Sequence, residues 1–189
     1  MQLAADLPNY NRGNYYAEGE YIKTDVRTGV ARNRTGTRIV VLSDDFLNGL
    51  LQALESECGP AAGAVLKACG RTWGKRFGLR FEREMESFYG RSVKDFPMPV
   101  FHSCLTATFS HHGWGRLDFD FSLYPQGVIV VTGQEAILGA LRQKADTPAD
   151  TLLAGVLAGM FGQLSGQTLD CLQTACQACG APASKFVLS

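Results

Sequence analysis

Neither sign of charge predominates in this chain: 18 Lys and Arg are matched by 18 Asp and Glu. A balanced surface has no electrostatic footprint for nucleic acid or for an anionic membrane. Long apolar runs are also missing. The longest, Thr151–Leu164, is too short and too rich in glycine to span a bilayer. Met1-Gln-Leu-Ala-Ala-Asp6 lacks the basic start and apolar block of a secretory leader. Six cysteines in such a chain read as reduced thiols rather than a disulfide framework, so a soluble, cytoplasmic protein is expected. Catalytic signatures are absent too: there is no Ser-x-x-Lys, Gly-x-Ser-x-Gly or His-Glu-x-x-His. Asp118 and Asp120 share a face, but it is the wet side of a strand. Nothing nominates an acid, a base or a nucleophile, and the chain is expected not to be an enzyme.

What is present is a core. With 189 residues, 46% of them hydrophobic, the chain can bury a full interior without staples. Residues 1–36 stand apart. Tyr10, Tyr15, Tyr16 and Tyr21 lie among Asn, Arg, Gly and Thr, with hardly any Leu, Ile or Phe. Such a segment is either an arm or a hairpin laid on the main domain, residues 37–189; the tyrosines, apolar bodies with polar tips, favour the hairpin.

Arg38-Ile-Val-Val-Leu42 reads as a short strand. Ser43 then suits a helix N-cap, with Asp44 and Asp45 in the first turn. Phe46, Leu47, Leu50, Leu51 and Leu54 form the expected buried stripe, and Gly59 the stop. Pro60 opens a second helix, where Val65, Cys69, Trp73 and Phe77 follow at i, i+4 spacing. A third helix is expected over about 79–89, with Phe81, Met85 and Phe88 inward and Glu82, Arg83, Glu84 and Glu86 mostly outward. Val100–Ser110 reads as a strand. Leu117-Asp-Phe-Asp-Phe-Ser-Leu123 alternates strictly, putting Leu117, Phe119, Phe121 and Leu123 on one sheet face. Gly127–Thr132 completes an antiparallel meander, and a short helix follows at about 134–143. Thr147-Pro-Ala-Asp150 supplies an N-cap, a proline and an acid for the last long helix. The fold class is therefore α+β: a twisted antiparallel sheet of about four strands with helices packed on one face.

The last helix is the most distinctive element. Leu152, Leu153, Val156, Leu157, Met160, Phe161 and Leu164 repeat in helical rhythm, with Gly155, Gly159, Gly162 and Gly166 between them. Glycines here, like Gly70 and Gly74, lie mid-helix on an apolar face. They predict close helix–helix contact rather than a phosphate cradle. Cys171, Cys176 and Cys179 have the C-x4-C-x2-C spacing of some iron–sulfur loops, but no fourth cysteine follows. They are weak metal candidates beside the plainer reading as buried thiols. His102, His111 and His112 gather near Trp114, and any of them has an imidazole able to ligate haem iron or a chlorin magnesium. The plainer reading is a solvated turn.

Four markers occur in order: Arg38-Ile-Val-Val-Leu42, Gly70-Arg-Thr-Trp-Gly74, Ala154-Gly155-Val-Leu-Ala-Gly159 and Cys176-Gln-Ala-Cys179-Gly180 with Lys185-Phe186-Val187. From about Arg38 to Ser189 the chain thereby resembles the 4-vinyl-reductase-like, or hydrocarbon-binding, domain. That domain shares its fold with the small core subunits of the TRAPP vesicle-tethering complex. The resemblance implies the ligand-binding fold of NO-signalling and Golgi-transport proteins, often a homodimer, with an apolar internal pocket. It implies small apolar ligands and, in some members, work beside tetrapyrrole and chlorophyll biosynthesis. Many members have Glu, Cys and Cys at the positions of Gln173, Cys176 and Ser184, a set suspected of holding a metal; this chain keeps only Cys176. The acylated cysteine of the vesicle-tethering relatives has no counterpart in Glu84–Phe96.

The expected function is a binding domain for a small apolar molecule, with haem or a chlorophyll precursor as candidate ligand. The candidate pocket residues are Trp73, Phe77, Phe81, Met85, Phe88, Phe101, Met160 and Phe161. Each reads equally as plain core. The alternative is a dimeric assembly scaffold that binds protein, in the photosynthetic setting an assembly partner, with a solid interior.

Overall fold

The structure, a computed structural model, describes residues 13, 15–17, 19–142 and 144–189. Tyr10 lies outside them. The first element is a three-stranded antiparallel sheet in the order β1 (Ile22–Asp25), β2 (Val30–Asn33), β3 (Arg38–Ile39). Asp25 shapes its turn, accepting from the Arg27 N–H at 2.9 Å and from the Thr28 hydroxyl at 2.8 Å. Tyr15, Tyr16 and Tyr21 are buried in the main core beside Phe81, Met85 and Cys104.

Two long helices form the spine. α1 (Asp44–Cys58) leads through a 3-10 turn into α2 (Ala62–Tyr89), and α5 (Thr151–Ser165) lies along α2. A side-chain carbon at Gly70, Gly74, Gly155 or Gly159 would run into the opposing helix's backbone: Leu152, Val156, Lys67 and Arg71 respectively present a carbonyl oxygen there. Glycine is what lets the two backbones approach. The Lys67 ammonium and Arg71 guanidinium then clasp Asp170, at 2.9 and 2.7 Å, beyond the end of α5.

The second sheet runs β4 (Arg116–Asp120), β5 (Ile129–Gln134), β7 (Ser184–Leu188), β6 (Cys171–Ala175), antiparallel throughout. Its registers stack Phe119, Val131 and Phe186 in one row and Ile129, Leu188 and Cys171 in the next. This inner face packs against α3 (Met98–His111) and α5; Asp118, Asp120, Thr132 and Lys185 face water. The architecture is α+β, with a four-stranded antiparallel sheet and helices on its apolar face. No helix among the described residues is long and apolar enough to cross a membrane.

Several sequence expectations are corrected. Val100–Ser110 is helix, not strand: Val100, Cys104 and the pair Thr108–Phe109 are buried at helical spacing. His102 and Cys104 therefore point to different sides, one partly exposed and one sealed. The second and third expected helices are one, because nothing between Gly78 and Phe81 breaks the backbone ladder. Glu84, expected outward, is 2% exposed. The α1 stripe is mostly wet. Leu51 is buried against Leu66 and Leu138, but Phe46 and Leu50 are exposed because α1 meets its neighbours over only part of its length. Leu123 is exposed because β4 ends at Asp120. The short helix is α4 (Ile137–Leu141), starting late because Gln134 still pairs with Arg116. Asp150 sits at the N-cap position of α5, yet its side chain caps nothing.

Candidate functional site

A cavity of about 210 Å³ opens where the C-terminal halves of α2 and α5 meet the sheet. Its aromatic wall comes from three elements: Phe101 on α3, Phe121 after β4 and Phe161 on α5. Phe121 has centroid separations of 5.9 Å to Phe101 and 6.2 Å to Phe161. Ile129 of β5 and Leu188 of β7, register neighbours, supply the sheet side. Val93 and Phe96 close it from the 3-10 turn after α2, Leu164 from the end of α5 and Leu169 from the loop that follows. The gap survives because the β4–β5 connection passes over it as a 3-10 turn, Tyr124–Gln126, followed by Gly127 at φ 79. Gly127 lines the space with no side chain, and a carbon added there would meet no atom within 4 Å.

Polar groups are confined to the rim: Glu82, Lys94, Tyr124, Ser165 and Gln167. Ser165 is already engaged, its hydroxyl donating to the Phe161 carbonyl at 2.8 Å. The rim residues Lys94, Tyr124 and Gln167 are exposed, so this is where the cavity meets solvent. The wall itself offers no polar side chain. Such a surface binds by excluding water from apolar area rather than by pairing charges.

Of the residues nominated from the sequence, the structure brings Phe101 and Phe161 to the wall. Phe81, Met85 and Met160 are fully buried in the packed interior. Phe77 is stacked on Trp73 at 4.8 Å and meets Phe109 edge-on at 5.5 Å, while Trp73 also stacks on Trp114 at 5.1 Å. Phe88 packs on Tyr15 at 5.3 Å, with the Arg34 guanidinium over its ring. None of these six lines this cavity. The apolar side chains missed were Val93, Phe96, Met98, Phe121, Ile129, Leu164, Leu169 and Leu188. The one available signal was Phe121, placed by strand alternation on the inner face at the open end of β4.

None of the three histidines lines the cavity. His102 Nε2 lies 3.4 Å from the Phe119 N–H it accepts and 3.2 Å from Asp118. His111 stacks on Tyr16 at 5.5 Å. His112 is committed at both nitrogens, to the Thr108 carbonyl at 2.7 Å and the Tyr21 hydroxyl at 3.2 Å. Burial holds its pKa below the usual imidazole value. Turned into the protein and hydrogen-bonded, it is no open axial ligand.

Cys171 stands apart from Cys176 and Cys179. Cys171 is buried on β6, its thiol pushed up to about 12 by desolvation, while Cys176 and Cys179 lie beyond the strand's other end. Among the described residues, no group of three His, Cys, Asp or Glu side chains is placed to hold a metal ion. At the positions of the suspected metal set there is a hydrogen-bonded cluster around Asp150. Its carboxylate accepts from the Gly139 N–H at 2.8 Å and from the Gln173 amide at 3.1 Å, and meets the Ser184 hydroxyl at 3.5 Å. Gln173 Oε1 in return accepts the Asp150 N–H at 2.9 Å. Burial holds the Asp150 pKa above the ordinary carboxylate range. The cluster ties α4, the start of α5, β6 and β7 together.

No protein-family model matches the sequence, and no curated protein sequence matches it. Solved structures do. The phenol-responsive sensory domain of the transcription activator PoxR, with phenol, superposes with a TM-score of 0.70 at 18% identity, over 89% of this chain and 84% of that one. A vinyl-4-reductase family protein from Methanocaldococcus jannaschii superposes at 0.57 and 14% identity, over 80% of this chain and 83% of its own. Subunit 3 of a trafficking protein particle complex from Naegleria fowleri, covalently bound to palmitic acid, does so at 0.54 and 15%, over 77% and 93%. At these identities the likeness is one of architecture: the chain has the fold shared by vinyl-4-reductase-type domains and the small trafficking-complex subunits.

Proposed function

We propose that this chain is a non-enzymatic binding domain whose ligand is a small apolar molecule of about one aromatic ring, held in the cavity walled by Phe101, Phe121 and Phe161. The observation that carries the reading is the cavity itself: about 210 Å³ with an apolar wall. A dry apolar cavity of roughly 150 Å³ is enough to take benzene, so this one has room for a ring with a small alkyl substituent. The similar phenol-responsive domain, with phenol, has a ligand of the same scale. A tetrapyrrole far exceeds the volume, and no histidine reaches it. A haem or chlorophyll-precursor ligand, and with it a role in pigment metabolism, would require the walls to part. We therefore favour a ring-sized ligand. The free cysteines fit a reducing, cytoplasmic compartment.

Calorimetric titration of the full chain with toluene, ethylbenzene, phenol and haem tests this. One-to-one saturable binding of toluene or ethylbenzene is expected. Phenol should bind roughly tenfold more weakly, because the wall offers a buried hydroxyl no partner. If no single-ring compound saturates the protein, the proposal fails.

One observation favours the alternative of a dimeric protein-binding scaffold. Val40, Val41, Leu42, Phe46 and Leu50 are all exposed around the start of α1, and clustered exposed apolar side chains can mark contact sites. Light scattering on the intact protein tests this reading: a monomer removes its basis, whereas a dimer together with no toluene or ethylbenzene binding supports it over the ligand-binding reading. A photosynthetic assembly partner remains part of that reading.

A further inference from the structure

Away from the cavity, Cys176 and Cys179 place two nucleophilic residues at the two ends of one tight turn. Cys176 follows β6 and is 3% exposed, whereas Cys179 ends the 3-10 turn Gln177–Cys179 in full view of solvent. The turn is closed by the Cys179 N–H and the Ala181 N–H, both donating to the Cys176 carbonyl at 3.1 Å. A tight turn separating two cysteines by two residues brings their α-carbons within disulfide range without moving the backbone.

We infer that Cys176 and Cys179 form a thiol–disulfide exchange site for small-molecule disulfides of the glutathione class. The difference in exposure assigns the order. The Cys179 thiolate, its proton lost to water, attacks one sulfur of the disulfide, forming a mixed disulfide and releasing one small thiol. The Cys176 thiol, adjacent and shielded, loses its proton and attacks the Cys179 sulfur, releasing the second small thiol. Two protein thiols are oxidised to one disulfide while one small disulfide is reduced to two thiols, so electrons and protons balance.

The surroundings suit a reversible bond. The enclosed loop is too short to add much stability. The turn is seated independently of the sulfurs: the Gln177 N–H meets the Ser184 hydroxyl at 3.3 Å, Gln177 Oε1 accepts the Glu135 N–H at 3.1 Å, and the Ala145 N–H donates to the Ala178 carbonyl at 2.9 Å. Desolvation, the Cys176 thiol and the Asp146 carboxylate hold the Cys179 thiol above its usual pKa. Exchange is therefore slower than for a free cysteine at neutral pH.

The test equilibrates the full chain in glutathione redox buffers with a chelator, alkylates the remaining thiols and maps them by mass spectrometry. Cys69, exposed and on a different helix, is the internal control. As the buffer becomes oxidising, Cys176 and Cys179 should lose alkylation together and gain no glutathione, in the native chain and in Cys171→Ser alike. Cys179→Ser should leave Cys176 alkylated, and Cys176→Ser should trap glutathione on Cys179. If Cys69 is glutathionylated while both turn cysteines stay alkylated, the inference is overturned. A persistent mixed disulfide on Cys179 of the native chain also overturns it.

Discussion

Gly74 of α2 faces the carbonyl oxygen of Val156 in α5 so closely that a side-chain carbon on the glycine would overlap that oxygen, far inside van der Waals contact. The contact is backbone on backbone, so no rotamer change can relieve a substitution. Gly155 against Lys67 and Gly159 against Arg71 repeat it from the other helix.

Gly74→Ala is accordingly expected to cost at least 1–3 kcal/mol, roughly the range of an overpacked core, despite alanine's better helix propensity. Gly49→Ala is the control. Gly49 lies on α1 with no atom within 4 Å of the added carbon, and there the change should stabilise by about 0.5–1 kcal/mol. Urea unfolding of both variants checks the pair; equal effects would refute the contact.

Filling the cavity should remove binding without unfolding the protein. Leu169 lines the void from the loop after α5 and is half-buried. Leu169→Trp should lower toluene affinity at least about tenfold, the scale of lost apolar burial for a side-chain-sized group, while changing stability by about 1 kcal/mol or less. Titration calorimetry beside thermal unfolding reads both.

Glu84 anchors the N-terminal sheet. Its buried Oε1 accepts from the Asn33 amide at 2.6 Å and the Thr37 hydroxyl at 2.8 Å. Glu84→Ala leaves both donors without an acceptor, at a cost of about 1.5–3 kcal/mol for each bond to the charged group. Trypsin cleavage at Arg27 in the β1–β2 turn should then accelerate several-fold while the helices stay protected. Uniform digestion of the whole chain would show that Glu84 supports the entire fold instead.

The Asp150 cluster should make stability depend on pH. Burial raises the folded-state pKa above its unfolded value, so the folded chain binds the extra proton more tightly. That stabilisation is complete below the ordinary carboxylate pKa and is lost as pH rises through the folded value. Asp150→Asn keeps an acceptor for the Gly139 N–H and has no proton to lose. Subtracting the variant's melting curve from the native one across the acid-to-neutral range isolates the effect. The native chain should lose ground steadily as pH rises, and a flat difference would refute the assignment.

Local pattern made some of this legible. Alternation through Leu117, Phe119 and Phe121 identified an inner sheet face, and Phe121 is a wall residue. Glycines spaced along an apolar helix announced the α2–α5 contact. The same local logic misread α3, where Val100, Phe101, Cys104, Leu105 and Phe109 mix aromatic and branched residues common in strands, although their burial follows a helix. It also nominated Phe77, Phe81 and Met85 for the pocket, since inward apolar residues look alike whether they meet another ring or an empty volume.

Charge balance, helix glycines and strand alternation are properties of near neighbours in the chain, and they alone established a layered α+β protein with one tightly packed helix pair. The void is different in kind. It exists because Phe101, Phe161, Ile129 and Leu188, brought from four separate elements, stop short of one another beneath a turn ending in Gly127. Packing at native density is decided by the distances between elements. Only the assembled fold sets those distances.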